Sequence, residues 1–188
     1  MNAAFFLSVG AGAFLYFLSK RQESTEPAPS VAVKKGLTIT ETEALGYIMA
    51  NKLAYSSLSG IPESVIMATI DVESNFDPNA VAPAGERGLM QVIYPSTWND
   101  AIKRGKLPDD LDSYAPKDNI LVGMTYLRLL RDQLQREGFL TGESANDWAL
   151  TDQAYNVGPG NFKAGKRNQP RLGKFLLARE KYQRAGLP

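Results

Sequence analysis

The chain of 188 residues contains no cysteine and no histidine. The first absence excludes disulfides and thiolate nucleophiles, and makes an oxidising compartment harmless. The second removes Ser-His-Asp, Cys-His and histidine–metal chemistry together. An excess of one charge is also missing. Lys and Arg number 21 against 20 Asp and Glu, a formal net charge of +1, so no global field draws the chain to nucleic acid. The sequence has no Asp-rich loop with calcium spacing, no internal repeat and no glycine-rich phosphate loop. Gly158 and Gly160 follow a helical pattern and not a strand. Catalysis, if there is any, falls to carboxylates, Lys, Tyr or a metal held by oxygens, and neither a metal nor another cofactor is expected. What is present suffices for a core, 44% hydrophobic residues against 22% charged. The length holds one domain of ordinary size with an appendage.

The appendage is N-terminal. Residues Ala3 to Ser19 carry no charge and include Phe5, Phe6, Leu7, Val9, Phe14, Leu15, Tyr16, Phe17 and Leu18. Such a run is at the short end of a bilayer span, roughly 17–25 residues. A cleaved signal peptide normally has basic residues before its apolar core and a small-x-small site after it. Here nothing basic precedes the run, and Ser19-Lys20-Arg21-Gln22 follows it. A retained single-pass transmembrane helix over residues 1–21 is expected. Residues 22–36, with Pro27, Pro29 and Ser30 and no apolar periodicity, read as a linker. The folded domain is expected over 37–188. Lys20, Arg21, Lys34 and Lys35 lie on the C-terminal side of the span, which the positive-inside rule places in the cytoplasm.

Signals in the domain are helical. Thr40-Glu41-Thr42-Glu43 has a capping-box pattern ahead of Ala44, Leu45, Ile48, Met49 and Leu53. Gly60 ends that helix, and Pro62 suits the first turn of the next. Pro95 starts a helix through Trp98 and Ile102. Ile120, Leu121, Met124, Leu127, Leu130 and Leu134 define the longest one, closed by Gly138. Ser144 and Asp147 cap another through Trp148 and Tyr155, and Leu172, Phe175 and Leu176 mark the last. Short strands are plausible only around 80–82 and 89–93.

Glu73 closes the second of these helices. Its neighbours at helical spacing are Thr69 and Ile70, with Ile66 one turn further back. The carboxylate thus extends an apolar stripe. A carboxyl against aliphatic side chains loses hydration, its pKa rises, and it holds a proton near neutral pH as a general acid must. A buried Glu paired with Arg or Lys, and an exposed last helical turn, are the other readings. From the helix alone the ordinary readings weigh more, because structural ion pairs are common.

The residues downstream shift that balance. Glu73-Ser74 is followed by Gly88-Leu89-Met90-Gln91, then by Asn119-Ile120, Gly123 and Tyr126-Leu127, then by Ala154-Tyr155-Asn156. In this order the set resembles the soluble-lytic-transglycosylase-like domain, the family 1 lytic transglycosylases of the lysozyme superfamily. The resemblance covers about residues 60–163. It implies a mainly α, lysozyme-like domain with at most a minor β-hairpin. It also implies cleavage of the bond between N-acetylmuramic acid and N-acetylglucosamine in peptidoglycan, leaving 1,6-anhydromuramoyl ends.

By that resemblance Glu73 is the catalytic acid and then base. Ser74 is expected to hydrogen-bond near it, Met90 and Gln91 to line the glycan groove, and Tyr126 to contribute to the same groove. The Tyr155 hydroxyl is expected near Glu73, and Asn156 on the sugar or the loop. Tyr182 is the candidate for a late family tyrosine, although Arg179 to Arg184 depart from that pattern. Each residue also has an ordinary reading: Ser74 as a helix-end polar group, Leu89 and Met90 as core, Tyr155 as a core aromatic with a satisfied hydroxyl.

Most glycosidases use two carboxylates, about 5–5.5 Å or about 6.5–9.5 Å apart. Asp71, two positions before Glu73, points to the opposite helix face, and Asp77 before Pro78 is a turn residue. Glu86 is the one credible second carboxylate. With Glu86 as base the chain would be a goose-type-like lysozyme that hydrolyses the same bond. A catalytically idle glycan-binding scaffold is the remaining rival. Arg87, if it lay against Glu73, would lower the acid's pKa and oppose catalysis. Expected partners are glycan strands, the membrane, and proteins of a virion or an envelope-crossing machine. Expected locations are a virion internal membrane or the inner membrane facing the periplasm.

Overall fold

The computed structural model describes residues 39–142 and 145–188. Among these the chain forms α1 (Ile39–Ala54), α2 (Glu63–Ser74), β1 (Glu86–Arg87), β2 (Val92–Ile93) and α3 (Ser96–Gly105). Then follow α4 (Pro116–Arg136), α5 (Ala145–Val157), α6 (Pro159–Lys163) and α7 (Gln169–Arg184). The domain is mainly helical, as expected, and among the described residues the one sheet is the two-stranded β1–β2 hairpin. No helix among the described residues is long and apolar enough to cross a membrane. The anchor expected at 1–21 and the linker at 22–36 lie outside the described residues.

Helix α2 is the centre. Ser64 through Ile70 are all buried, because Val65, Ile66, Met67, Ala68 and Ile70 face neighbours on every side. Leu45 and Ile48 of α1, Ile120 and Met124 of α4, and Phe175 of α7 share its core. A smaller cluster of Leu130, Leu134, Leu140, Ala154 and Phe162 joins α4 to α5 and α6. Helix α2 stops where Asn75 adopts the left-handed conformation, φ 51, and its N–H donates to the Asp71 carbonyl. Asn tolerates this region better than most side chains. The chain therefore reverses within two residues of Glu73.

Two local expectations change. The Thr40–Glu43 capping box does not start a helix, because Thr40 already lies inside α1. Glu41 is instead buried, and its carboxylate accepts from the Tyr182 hydroxyl and from Lys181 of α7. Tertiary partners have taken the place of a local cap. The strands expected at 80–82 and 89–93 shrink to a pairing of Glu86 with Ile93 and Arg87 with Val92, plus one bridge from Val81 to Arg87. Leu89 and Met90 are drawn into the core instead. The Ser144 cap lies outside the described residues, but Asp147 is buried and accepts the Gly142 N–H at 2.6 Å.

Among the described residues, one side chain carries the hydrogen bonds between the hairpin and α4. The Asn119 amide oxygen accepts the Met90 N–H at 2.8 Å. Its amide nitrogen donates to the Arg87 carbonyl at 2.9 Å and the Ser113 carbonyl at 2.8 Å. Two glycines make the approach possible. A Cβ on Gly88, where φ is +69, would lie 2.4 Å from the Asn119 amide, and one on Gly123 would lie 2.5 Å from Met90 Sδ. The family-like residues Gly88, Met90, Asn119 and Gly123 thus form one packing unit that fixes the loop beside Glu73.

Candidate active site

A cleft of about 290 Å³ opens beside the C-terminal end of α2. Glu73 lines it, with Glu86, Gln91, Val92 and Ile93 from the hairpin and Thr97 from α3. Tyr126 of α4 and the stretch Tyr155 to Pro159 at the α5–α6 junction complete the walls. Five of the residues singled out from sequence therefore meet on one cavity: Glu73, Glu86, Gln91, Tyr126 and Tyr155, with Asn156 at the rim as a sixth.

The Glu73 side chain keeps only 13% of its exposure. Burial raises its pKa to about 7, against an opposing pull from Arg171, with smaller upward pushes from the charges of Asp152 and Glu86. Arg171 Nη2 lies 3.0 Å from Glu73 Oε1. The same guanidinium is held by Asp152, with Nη2 donating to Oδ1 at 2.9 Å and Nε to Oδ2 at 3.3 Å. Asp152 is fully buried and Arg171 nearly so.

The arginine that sequence reasoning placed under suspicion is elsewhere. The Arg87 guanidinium stacks over Tyr94, 4.0 Å from the ring centroid, and reaches the Tyr114 ring at 5.3 Å. Arg171 and Asp152 were missed. Asp152 did carry a signal, since it falls four residues after Trp148 and three before Tyr155. That is a carboxylate on an apolar stripe, the pattern that marked Glu73. Arg171 carried none, because its partners come from helices distant in sequence.

Tyr155 donates its hydroxyl proton to the Met90 carbonyl at 2.7 Å. Its ring packs on Tyr126 with centroids 5.3 Å apart. Burial, and then the nearby Glu73 charge, push the Tyr155 phenol well up, so it stays neutral. Asn156 accepts from the Asn168 amide at 2.9 Å. The Gln91 amide nitrogen donates to the Gly88 carbonyl at 2.8 Å and the Ala80 carbonyl at 3.0 Å, so it braces the loop it stands on.

Two expected groove residues are turned inward. Met90 is fully buried against Gly123 and has no surface to offer a sugar. Ser74 Oγ lies 2.8 Å from the Leu89 carbonyl and 3.2 Å from that of Ile70, which ties the end of α2 to the loop. It is not among the residues lining the cleft. Tyr182 is buried, its hydroxyl 2.8 Å from both Glu41 and Asp71. Asp71 thus faces α7 and not the cleft, as its spacing from Glu73 requires. Glu86 remains at the cleft, its carboxylate accepting the Ala84 N–H at 3.0 Å.

Residues 51–177 match the family described as the transglycosylase SLT domain. The chain belongs to this family. It is 34% identical over 146 residues to the membrane-bound lytic murein transglycosylase C of Actinobacillus pleuropneumoniae serotype 5b, an alignment covering 76% of this chain and 39% of that protein. The protein of the same name from Photorhabdus laumondii is 32% identical over 173 residues, covering 88% of this chain and 47% of that one. The chain thus spans less than half the length of these relatives. Among solved structures it is similar to the 70 kDa soluble lytic transglycosylase SLT70 from Escherichia coli, at 22% identity and a TM-score of 0.48, over 78% of this chain and 26% of that one.

Proposed function

We propose that the chain is a peptidoglycan lytic transglycosylase built on a lysozyme-like domain, with Glu73 as its single acid and base. The observation that carries this is a nearly buried carboxyl with a pKa of about 7 in the wall of a cleft. Family membership and relatives named lytic murein transglycosylases support the choice of substrate. Protonated Glu73 gives its proton to the oxygen that links the muramoyl C1 to the next sugar, and the C1–O bond breaks. The carboxylate so formed takes the proton of the muramoyl C6 hydroxyl, and O6 closes onto C1. No water is consumed, and the carboxyl returns to its starting state. The substrate's own acetamido group steadies the positive charge at C1. Gln91, Tyr126, Tyr155 and Asn156 form the glycan-binding walls. Met90 and Ser74 act one layer behind, through the loop they anchor.

Glu86 supports the second reading, a hydrolase of goose type, because it shares the cleft and its charge is felt at Glu73. Mass spectrometry of digested sacculi separates the two. Products lighter by one water, with anhydro ends, are expected from wild type, and Glu86→Gln is expected to keep most of the activity. Reducing muramic ends that vanish with Glu86→Gln would make the chain a hydrolase.

We also read residues 1–21 as a membrane anchor, 22–36 as its linker and 37–188 as the catalytic domain. The apolar run and relatives named membrane-bound support this. The substrate then demands that the domain lie on the wall side, either in the periplasm or in a virion with an internal membrane. There it would work beside virion or secretion-machine proteins. In spheroplasts of a producing cell, added protease is expected to remove the domain. Protection of the domain would place it in the cytoplasm, as the basic flank suggests, and would remove the periplasmic anchor.

A further inference from the structure

Glu73 is surrounded by charge from several elements. Helix α7 contributes Arg171, α5 contributes Asp152 and the Tyr155 phenol, β1 contributes Glu86, and α4 places Tyr126 across the cleft. Of these, only Arg171 touches the carboxyl. A lone guanidinium at 3.0 Å would favour ionised Glu73 and strip it of the proton that an acid must give. Here the guanidinium is not alone. Two of its nitrogens are gripped by the fully buried Asp152, a fork geometry that neutralises the charge and fixes the plane of the group.

The start of α7 is itself held in place. The Asn168 side chain accepts the Arg171 N–H at 3.2 Å, the Asn168 N–H donates to Gln153 Oε1 at 2.8 Å, and its amide donates to Asn156. All three tie the first turn of α7 to itself or to α5, so the guanidinium is delivered to Glu73 on a rigid mount. A guanidinium has only donors. In a protonated carboxyl the carbonyl oxygen is the better acceptor, so Oε1 of Glu73, facing Nη2, leaves Oε2 to carry the acid proton.

We propose that Asp152 and Arg171 form a positioning pair for Glu73, in which Asp152 cancels the guanidinium charge so that Arg171 orients the acid without taking its proton away. The inference rests on the acid–base role proposed for Glu73. The alternative is a plain staple joining α5 and α7, indifferent to the state of Glu73. The pKa of about 7 that Glu73 retains beside a cation agrees with cancellation.

The test is the titration of the Glu73 side-chain carbon by NMR in the whole protein, alongside the pH profile of kcat/KM on sacculi. Asp152→Asn uncovers the guanidinium, so the midpoint of Glu73 is expected to move down, with at least about a tenfold loss of proton affinity. The alkaline fall of kcat/KM should move with it. Arg171→Gln should move the midpoint up, and the double variant Asp152→Asn/Arg171→Gln should return it to within about threefold of wild-type affinity. A Glu73 midpoint unmoved by Asp152→Asn, or moved upward, overturns the pair. If Asp152→Asn does not fold, Arg171→Gln and the double variant decide: equal midpoints in wild type and Arg171→Gln overturn it equally. The NMR titration needs no substrate. Inactivity on sacculi would defeat the proposed reaction, and the titration would still judge the pair.

Discussion

Glu73→Gln is expected to lower the release of anhydro-ended muropeptides by about ten-thousandfold while leaving the protein at least as stable as wild type. General acid–base groups contribute about a hundredfold to ten-thousandfold in rate. The upper end is expected because one carboxyl here serves both proton transfers. The stability half follows from the same burial. The pKa of Glu73 rises from 4.5 to about 7 on folding, so the folded state holds the proton more tightly than the unfolded chain. The benefit of that proton is fully present below about pH 4.5 and is lost as pH rises through about 7. Above that, carrying the charge costs the fold roughly 3 kcal/mol relative to the protonated state. A neutral amide avoids the cost. Urea denaturation should therefore place the variant above wild type at pH 8 and near it at pH 5. A variant less stable than wild type at pH 8 would show that Glu73 is a structural partner of Arg171 and not a carboxyl held in reserve. The proposed activity should likewise fall as pH rises through about 7.

Asn119→Ala should act first on stability, from a position that does not line the cleft. It removes one acceptor and two donated hydrogen bonds at a fully buried site. The Met90 N–H and the carbonyls of Arg87 and Ser113 then lose a partner together. Each such loss costs about 1–3 kcal/mol, and a combined loss of about 3 kcal/mol or more is expected. Because the loop carries Glu86 and Gln91 into the cleft, activity should fall with stability and recover in part on cooling or with stabilising osmolyte. Asn119→Asp should be worse, since it sets a carboxylate oxygen against two carbonyls. Chemical denaturation reads the effect directly. A loss under about 1 kcal/mol would mean that the hairpin is held by its apolar residues alone.

Glu73 was legible because a helix imposes its own spacing. Thr69, Ile70 and Ile66 are its neighbours whatever else the chain does, so a carboxyl on that stripe is buried by local geometry. The same logic placed Asp71 on the far face and Asp77 in a turn, where the Asn79 N–H donates to its carboxylate at 2.9 Å. The order of Glu-Ser, Gly-Leu-Met-Gln and Ala-Tyr-Asn pointed to the family. It did not reveal which of those residues meet solvent. Met90 and Ser74 look like groove residues in a motif, yet they serve packing, because Gly123 and Leu89 lie opposite them.

By itself, then, the sequence determined the helical class, the absence of histidine and thiol chemistry, the carboxyl on an apolar stripe at position 73 and the family of the chain. Local periodicity and residue inventory are properties of the chain and need no partner. The surroundings of that acid were decided only by tertiary structure. Asp152 lies 79 residues from Glu73 and Arg171 lies 98, and no periodicity reaches so far. Packing α7 against both α2 and α5 brings the two ends of that span to hydrogen-bonding distance. Arg171, not Arg87, then meets the acid, while Asp152 opposes its charge. Whether Glu73 keeps its proton depends on that distance and on the loss of water around it, and both exist only once the helices have closed.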